Sequence, residues 1–113
     1  MTTFEKIIKV IEPFGHPHSP GVYTGKASKW FTYNYVDDYG TNHADDEPQS
    51  VINRIQLHYF LPIKEDYIRS KNRIRKALSE QGFTFPEITY PDDPNPEIRH
   101  IVFECEIEEE SEE

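Results

Sequence analysis

The segment "TTFEKIIKVIEPFG" places apolar residues at the spacing of an α-helix. Its apolar positions lie on one side of such a helix, and its charged positions lie mainly on the other. Thr2 and Thr3 are N-cap candidates, and Glu5 has the spacing of a capping box with Thr2. Pro13 ends the helix, because the residue before a proline is pushed out of the α-helical region. The pattern predicts one amphipathic helix, followed by the loop "GHPHSPG".

Two later segments alternate in the way that β-strands do. In "KWFTYNYV", Phe31, Tyr33 and Tyr35 alternate with other residues that favour strands, and a shorter strand is expected around residues 22–23. In "SVINRIQLHYFLPI", apolar residues from Val51 to Leu61 alternate with polar ones. This second strand is therefore predicted to bury one face.

The segment "KEDYIRSKNRIRKALSEQG" has the clearest helical pattern in the chain. Tyr67, Ile74, Ala77 and Leu78 form an apolar stripe, while most of the charged residues lie outside it. Gly82 stands where a left-handed C-cap is expected. The sequence thus predicts a second amphipathic helix that ends near this glycine.

Two further strands are predicted after the second helix. "FTFPEITY" alternates around a proline, which favours a strand at the edge of a sheet. "IRHIVFECEIEEESEE" alternates with Ile101, Phe103, Cys105 and Ile107 facing inward. Acidic residues then dominate, and their mutual repulsion predicts a disordered acidic tail at residues 109–113.

The predicted order is α-β-β-α-β-β, in a single domain at residues 1–108. This order favours an α+β two-layer sandwich, with two amphipathic helices packed on a mainly antiparallel sheet of about four strands. A long acidic loop, residues 36–50, is predicted between the first two main strands. Loops of this length in compact domains are usually either functional or disordered.

Composition narrows the classes of function. The 113 residues include 21 acids against 12 lysines and arginines, which gives a formal net charge of −9. Such a surface repels nucleic acids and anionic membranes. The single cysteine excludes an intrachain disulfide and a four-thiolate metal site. The sequence has neither the pattern of a signal peptide nor an apolar run of membrane-spanning length, so we expect a soluble protein of a reducing cytosol.

No segment has the pattern of a catalytic, cofactor-binding or metal-binding site. His16, His18 and the segment "NHADDE" stand on predicted loops and lack the spacing of known metal sites. Cys105 faces inward on its strand, which favours a buried apolar role over a nucleophile. The five glycines form no phosphate-binding loop. We therefore expect a protein that is not an enzyme and that needs no cofactor or metal.

Charge is distributed unevenly along the chain. Basic residues concentrate on the second helix, where they form either a solvated face or a contact with an acidic strip on another copy. The residues after Phe103 provide such a strip. Opposite charges on separate faces favour head-to-tail contacts, which close into rings when the rotation fits. The candidate basic contact residues are Arg69, Lys71, Arg73, Arg75 and Lys76.

Four segments together resemble one protein family. They are "FTYNYVDDYGTNHADDEPQ", "RIQLHYF", "KEDYIRSKNRIRKALSEQGF" and "RHIVFECEIEEE", and they span nearly the whole chain. The chain resembles the tail-completion, or tail-to-head joining, proteins of long-tailed (siphovirus) phages and prophages. Cys105 replaces the aromatic residue usual at its position in that family, which is expected to alter local packing alone.

The resemblance implies a structural protein. Members of the family, which are similar in fold to tail terminators, form a hexameric ring on the finished tail tube. The ring stops tube growth and docks onto the head-completion or connector protein, and the genome passes through its bore. The implied partners are further copies of the chain, the tail tube protein and the connector, with no specific DNA binding and no membrane. The implied location is the host cytoplasm during assembly and then the head–tail interface of the virion.

An acidic bore suits this role, because each lysine or arginine on a phosphate would release counterions and hold the DNA. The candidate lumen or partner-facing acids are Glu104, Glu106 and Glu108. The long loop is expected either to order against a neighbouring copy or the tail tube, or to have no role. Its candidate contact residues are Asp37, Asp38, Asp45, Asp46 and Glu47.

Two other functions remain open on the sequence. A small acidic binding module could imitate DNA and occupy the basic groove of a nuclease or repressor, with binding that weakens steeply as salt rises. An enzyme of nucleotide metabolism would need a deep pocket with convergent polar groups, which no motif indicates. The oligomeric state of the free protein, and its origin in a virion or a resident prophage, also stay open.

Overall fold

The residues that the structure describes form two α-helices, five β-strands, a 3-10 turn and the loops that connect them. The computed structural model describes residues 1–40 and 50–110, and of Glu110 it describes the backbone. In chain order the elements are α1 (Thr3–Ile11), a 3-10 turn (Glu12–Phe14), β1 (His18–Pro20), β2 (Trp30–Gly40), β3 (Ser50–Pro62), α2 (Ile68–Glu80), β4 (Glu87–Thr89) and β5 (Ile98–Glu110).

The strands form one sheet in the order β1-β2-β3-β5-β4. The predicted α+β class, with two helices packed on a sheet, is confirmed. The sheet differs from the predicted one in detail, because it is mixed and has a fifth strand: β1 runs parallel to β2, whereas the other neighbours are antiparallel. The short strand expected at residues 22–23 is wrong in position, since Val22 lies in a turn where its N–H donates to the carbonyl of Pro20 at 2.9 Å.

Helix α1 begins and ends as the sequence predicts. The Thr2 hydroxyl accepts from the Glu5 N–H at 3.1 Å, and the Glu5 carboxylate accepts from the Thr2 N–H at 2.8 Å, which completes the capping box. The helix ends before Pro13, and the 3-10 turn follows. Phe4 lies edge-on to the ring of Tyr33, with 4.9 Å between ring centroids, so α1 packs over β2.

The core lies between the two helices and one face of the sheet. Ile7 and Ile11 of α1 and Ile74 and Leu78 of α2 are almost completely buried. Each fully buried aliphatic side chain of this kind contributes about 1.5–3 kcal/mol. The strand residues that complete this core are Phe31, Tyr33, Ile55, Leu57, Tyr59, Leu61, Ile101, Phe103, Cys105 and Ile107.

The three central strands extend further into the acidic segments than the sequence predicts. Strand β2 continues to Gly40, so Asp37 and Asp38 lie on a strand and not in the predicted loop. The pairing of β2 with β3 shifts register between Tyr35 and Asp37, which marks a β-bulge at Val36. The predicted tail is corrected in the same way, because β5 continues through residues 109 and 110, and residues 111–113 lie outside the described part.

The long strands give the molecule an elongated shape, with extents of 53 × 24 × 22 Å. Strands β3 and β5 have 13 residues each, and they pair along their whole length. Within residues 1–40 and 50–110, no helix is both long and apolar enough to cross a membrane.

Candidate interaction surfaces

One face of the sheet is covered by the helices, and the side chains of the other face point away from them. We call this second face the open face; it consists of the outward residues of β2, β3, β5 and β4. Its described side chains include five carboxylates and one guanidinium. The carboxylates are Asp37, Glu87, Glu104, Glu106 and Glu108, and the guanidinium is that of Arg54.

Arg54 joins the three central strands on the open face. Its guanidinium donates to Asp37 of β2 at 3.2 Å and to Glu106 of β5 at 3.0 Å, and Nε lies 3.7 Å from Glu104. The hydrogen bond to Glu106 and the charge of Asp37 raise the pKa of Arg54. One cation thus offsets part of the repulsion among three carboxylates, and the face as a whole stays acidic.

The predicted lumen acids lie side by side on the open face. Glu104 also accepts from the amide of Gln56 at 2.9 Å, and Glu108 accepts from the hydroxyl of Ser50 at 2.5 Å. Their alternation along β5, with core residues between them, places all three on one side of the sheet as predicted. Glu109 faces the other side, where the hydroxyls of Thr3 and Tyr35 donate to it.

A histidine pair occupies the centre of the open face. The amide nitrogen of Asn34 donates to the carbonyl of Tyr35, so its Oδ1 accepts from Nε2 of His58 at 3.1 Å. Nδ1 of His58 then accepts from Nε2 of His100 at 2.8 Å. Burial and the neighbouring His100 lower the pKa of His58 to about 4, and burial lowers the pKa of His100. Both rings are therefore neutral at pH 7 and add no positive charge to this face.

Aromatic rings continue from the histidine pair toward the β2 side of the open face. The His100 ring stacks on Phe60 with 4.3 Å between centroids, and Phe60 stacks on Trp30 at 4.8 Å. These three residues pair directly across β5, β3 and β2. Cross-strand stacking of this kind stabilises the register of the strands.

Beside His100, a groove of about 350 Å³ is lined by Ile63, Tyr90, Pro91, Asp92, Asp93, Pro96, Ile98 and Arg99.

The predicted contact loop is only partly described. Asp37 and Asp38 stand on β2, and the bulge lets Asp37 face Arg54 on the open face. Asp45, Asp46 and Glu47 lie outside the described residues. The structure therefore joins Asp37 to the predicted lumen acids through Arg54, a link that the sequence analysis did not foresee.

The predicted basic contact face divides into two parts. Arg69, Arg73 and Lys76 follow one stripe of α2 and are exposed, on the side away from the core residues. Arg73 also lies over the ring of Phe14, with its guanidinium carbon 4.4 Å from the centroid. Lys71 and Arg75 are half-buried on the flank of the helix, so these five residues do not form a single surface.

The other candidate chemical groups occupy structural positions. His16 is half-buried and stacks on the rings of Phe31 and Tyr59 with centroids 6.0 Å apart. His18 belongs to β1, and its ring nitrogen lies 3.3 Å from the Tyr33 hydroxyl. Cys105 is buried in the core as predicted, and burial raises the pKa of its thiol to about 12. Across the described ranges, no cluster of three histidine, cysteine or acidic side chains could hold a metal ion.

Sequence reasoning missed two features of the surface. Arg54 is the only lysine or arginine of β3, but its role as a cross-strand clamp depends on the register of the strands, for which the sequence carries no signal. Phe85 was assigned to an edge strand, but it precedes β4 and is exposed beneath the guanidinium of Arg75. Nothing in the sequence around Phe85, which precedes a proline, indicates its contact with Arg75.

No protein-family model matches this chain, and no curated protein sequence matches it.

Proposed function

We propose that this protein is a structural component of a phage or prophage tail, where it caps the tail tube as a ring and joins the tail to the head. The proposal has two supports. The first is the resemblance of four segments to tail-completion proteins. The second is the distribution of charge between the two layers of the fold, and this second observation carries the proposal.

The two layers expose opposite charges. The open face of the sheet presents Asp37, Glu87, Glu104, Glu106 and Glu108 with Arg54 among them. On the far side of the molecule, α2 presents the exposed stripe of Arg69, Arg73 and Lys76, which we call the outer stripe. A ring built with all sheets inward would therefore have an acidic bore and a basic outer wall.

Such a bore suits the passage of DNA. A carboxylate repels a phosphate, and a bore without free lysine or arginine does not exchange counterions with the moving strand. Arg54 is held by three carboxylates, so its charge is already neutralised within the protein. In this arrangement the basic stripe is left for a protein partner.

Deletion of the gene from the genome that carries it tests this function. We expect filled heads without tails and free tails of irregular length, because nothing would stop tube growth or form the joint to the head. Electron microscopy of the lysate measures both. Supplying the wild-type gene from a plasmid should restore whole particles, which shows that neighbouring genes were not affected.

Normal particles after deletion would contradict the proposal. They would direct attention to the alternative, a small acidic module that imitates DNA, since the same row of open-face carboxylates could occupy a basic groove. That alternative predicts a complex with a DNA-binding protein whose affinity falls steeply with added salt.

A further inference from the structure

Strand β2 has an exposed edge with apolar side chains. Strand β1 pairs with β2 at Phe31, Thr32 and Tyr33, and beyond Tyr33 no described strand covers this side of β2. Tyr35 and Val36 on this stretch are 44% and 43% exposed. Proteins normally protect an exposed edge of this length, so the stretch marks a surface that another chain can cover.

This edge also carries an uncompensated acid. Asp37 is bound by Arg54, but Asp38 forms no ion pair with any residue in the described ranges. Asp38 pairs across the sheet with Asn53, which is buried on the helix side. Asp38 and Tyr35 therefore point to the helix side of the sheet. We define the β2 patch as Tyr35, Val36 and Asp38.

The opposite edge of the sheet has a complementary pair. Phe85 comes just before β4, and its ring is 68% exposed. The guanidinium carbon of Arg75, on α2, lies 5.0 Å from the centre of this ring. Within the described residues, Arg75 has no carboxylate partner, and its buried Nε lacks a hydrogen-bond acceptor. We define the β4 patch as Phe85 and Arg75.

We infer that the β4 patch of one copy binds the β2 patch of the next copy. The inference rests on the proposed function, because it assigns the contact that repeats around the ring. Phe85 would pack against Tyr35 and Val36, and Arg75 would donate to the carboxylate of Asp38, as in other charge-assisted pairs.

The positions of the patches make the contact head-to-tail. They lie on opposite edges of one sheet, since β1 and β2 form one side and β4 forms the other. Both include residues on the helix side, so neighbouring copies keep their helices on the same side of the assembly. A contact between two different patches repeats from copy to copy, and it closes into a ring when the rotation fits.

Two features of β2 argue against other contacts at this edge. Pairing of β2 with β2 of another copy would bring acidic residues of both edges together, which is unfavourable. The bulge at Val36 interrupts the regular ladder and so disfavours simple addition of a strand. The contact is therefore made by side chains.

Disulfide trapping with Val36→Cys and Phe85→Cys tests the inference in the intact protein. The chain suits the method, because its native Cys105 is buried and its thiol pKa is raised to about 12, which keeps it unreactive. We expect the V36C/F85C double variant to give a ladder of oligomers after mild oxidation, read on a non-reducing gel. A mixture of the two single variants should give dimers that contain one chain of each, and neither single variant alone should crosslink.

The control replaces Phe85→Cys by Ile68→Cys. Ile68 is the first residue of α2 and is 45% exposed, but it is outside both patches. V36C/I68C should not form a ladder. Equal crosslinking of the control, or crosslinking of V36C with itself, would overturn the inference.

A charge exchange provides a second readout. Asp38→Arg or Arg75→Asp alone should slow trapping of the double-cysteine variant by about tenfold, and a mixture of D38R and R75D chains should recover it. Circular dichroism and thermal unfolding check that each variant is folded. Equal slowing in the single variants and in the mixture would contradict the assigned pair.

The outcomes separate this inference from the proposed function. Rings seen by electron microscopy in which the V36C/F85C variant does not crosslink would overturn the contact and leave the function standing. A V36C/F85C ladder, together with normal particles after gene deletion, would support the contact and overturn the function.

Discussion

The histidine pair on the open face illustrates how one residue couples folding to pH. His58 accepts a hydrogen bond from His100 and donates one to Asn34, so a proton added to His58 removes its acceptor. The pKa of His58 falls from 6.5 in the unfolded chain to about 4 in the folded protein, because burial and His100 disfavour its charged form. Between these two values the unfolded state binds more protons, so stability falls as pH falls.

Replacing His58→Gln should therefore weaken the loss of stability between about pH 6.5 and pH 4, since glutamine keeps a donor and an acceptor without titrating. Thermal unfolding across this range measures the effect. His18→Gln on β1 is the matched control, because it removes an imidazole that lies outside the pair. Parallel curves for H58Q and the wild type would contradict this account.

At the scale of elements, the end of α2 depends on one backbone conformation. Gly82 has a φ of 100°, and a Cβ there would meet nothing closer than Ile107 at 4.0 Å. Space is therefore available, but a left-handed conformation is costly for other residues. Gly82→Ala should destabilise the protein by about 1–2 kcal/mol.

Chemical unfolding of the variant measures this cost. Gly40→Ala at the end of β2 is the control, because its Cβ would meet nothing within 4 Å and its φ is not in the left-handed region. We expect that control to change stability by less than about 0.5 kcal/mol. Equal losses for G82A and G40A would show that the C-cap conformation is not the cause.

The elements with strong periodicity were predictable from the sequence. β3 and β5 alternate, and α2 has its apolar stripe at Ile74 and Leu78, so pattern and burial agree. β1 was misplaced because a three-residue strand that ends at Pro20 has almost no pattern of its own, and it forms only because Phe31 and its neighbours offer an edge. The position of β1 is thus determined by its pairing with β2 and not by the local preference of its own residues.

The acidic ends of β2 and β5 were also hidden from the sequence. Asp37, Asp38 and Gly40 belong to residue types that are rare in strands. They extend β2 because β3 pairs with them and because Arg54 offsets the charge of Asp37. The alternation of Glu104 and Glu106 with core residues predicted their shared face, whereas the clamp between strands depends on register, which the sequence does not show.

At the scale of the whole molecule, the two layers and the two edges have different roles in the proposed ring. The open face gives an acidic wall, the outer stripe of α2 gives a basic one, and the edges of the sheet carry the β2 and β4 patches. The extents of 53 × 24 × 22 Å mean that a copy standing with its strands along the bore would line a long section of it. The same molecule with its helices inward would instead present arginine and lysine to DNA.

Cryo-electron microscopy of purified tails that carry this protein tests the central claim most directly. The account predicts a closed ring of copies at the head-proximal end of the tail tube, with α1 and α2 outside and Glu104, Glu106 and Glu108 facing the bore. A ring with its helices toward the bore, or tails that end without this protein, would contradict it.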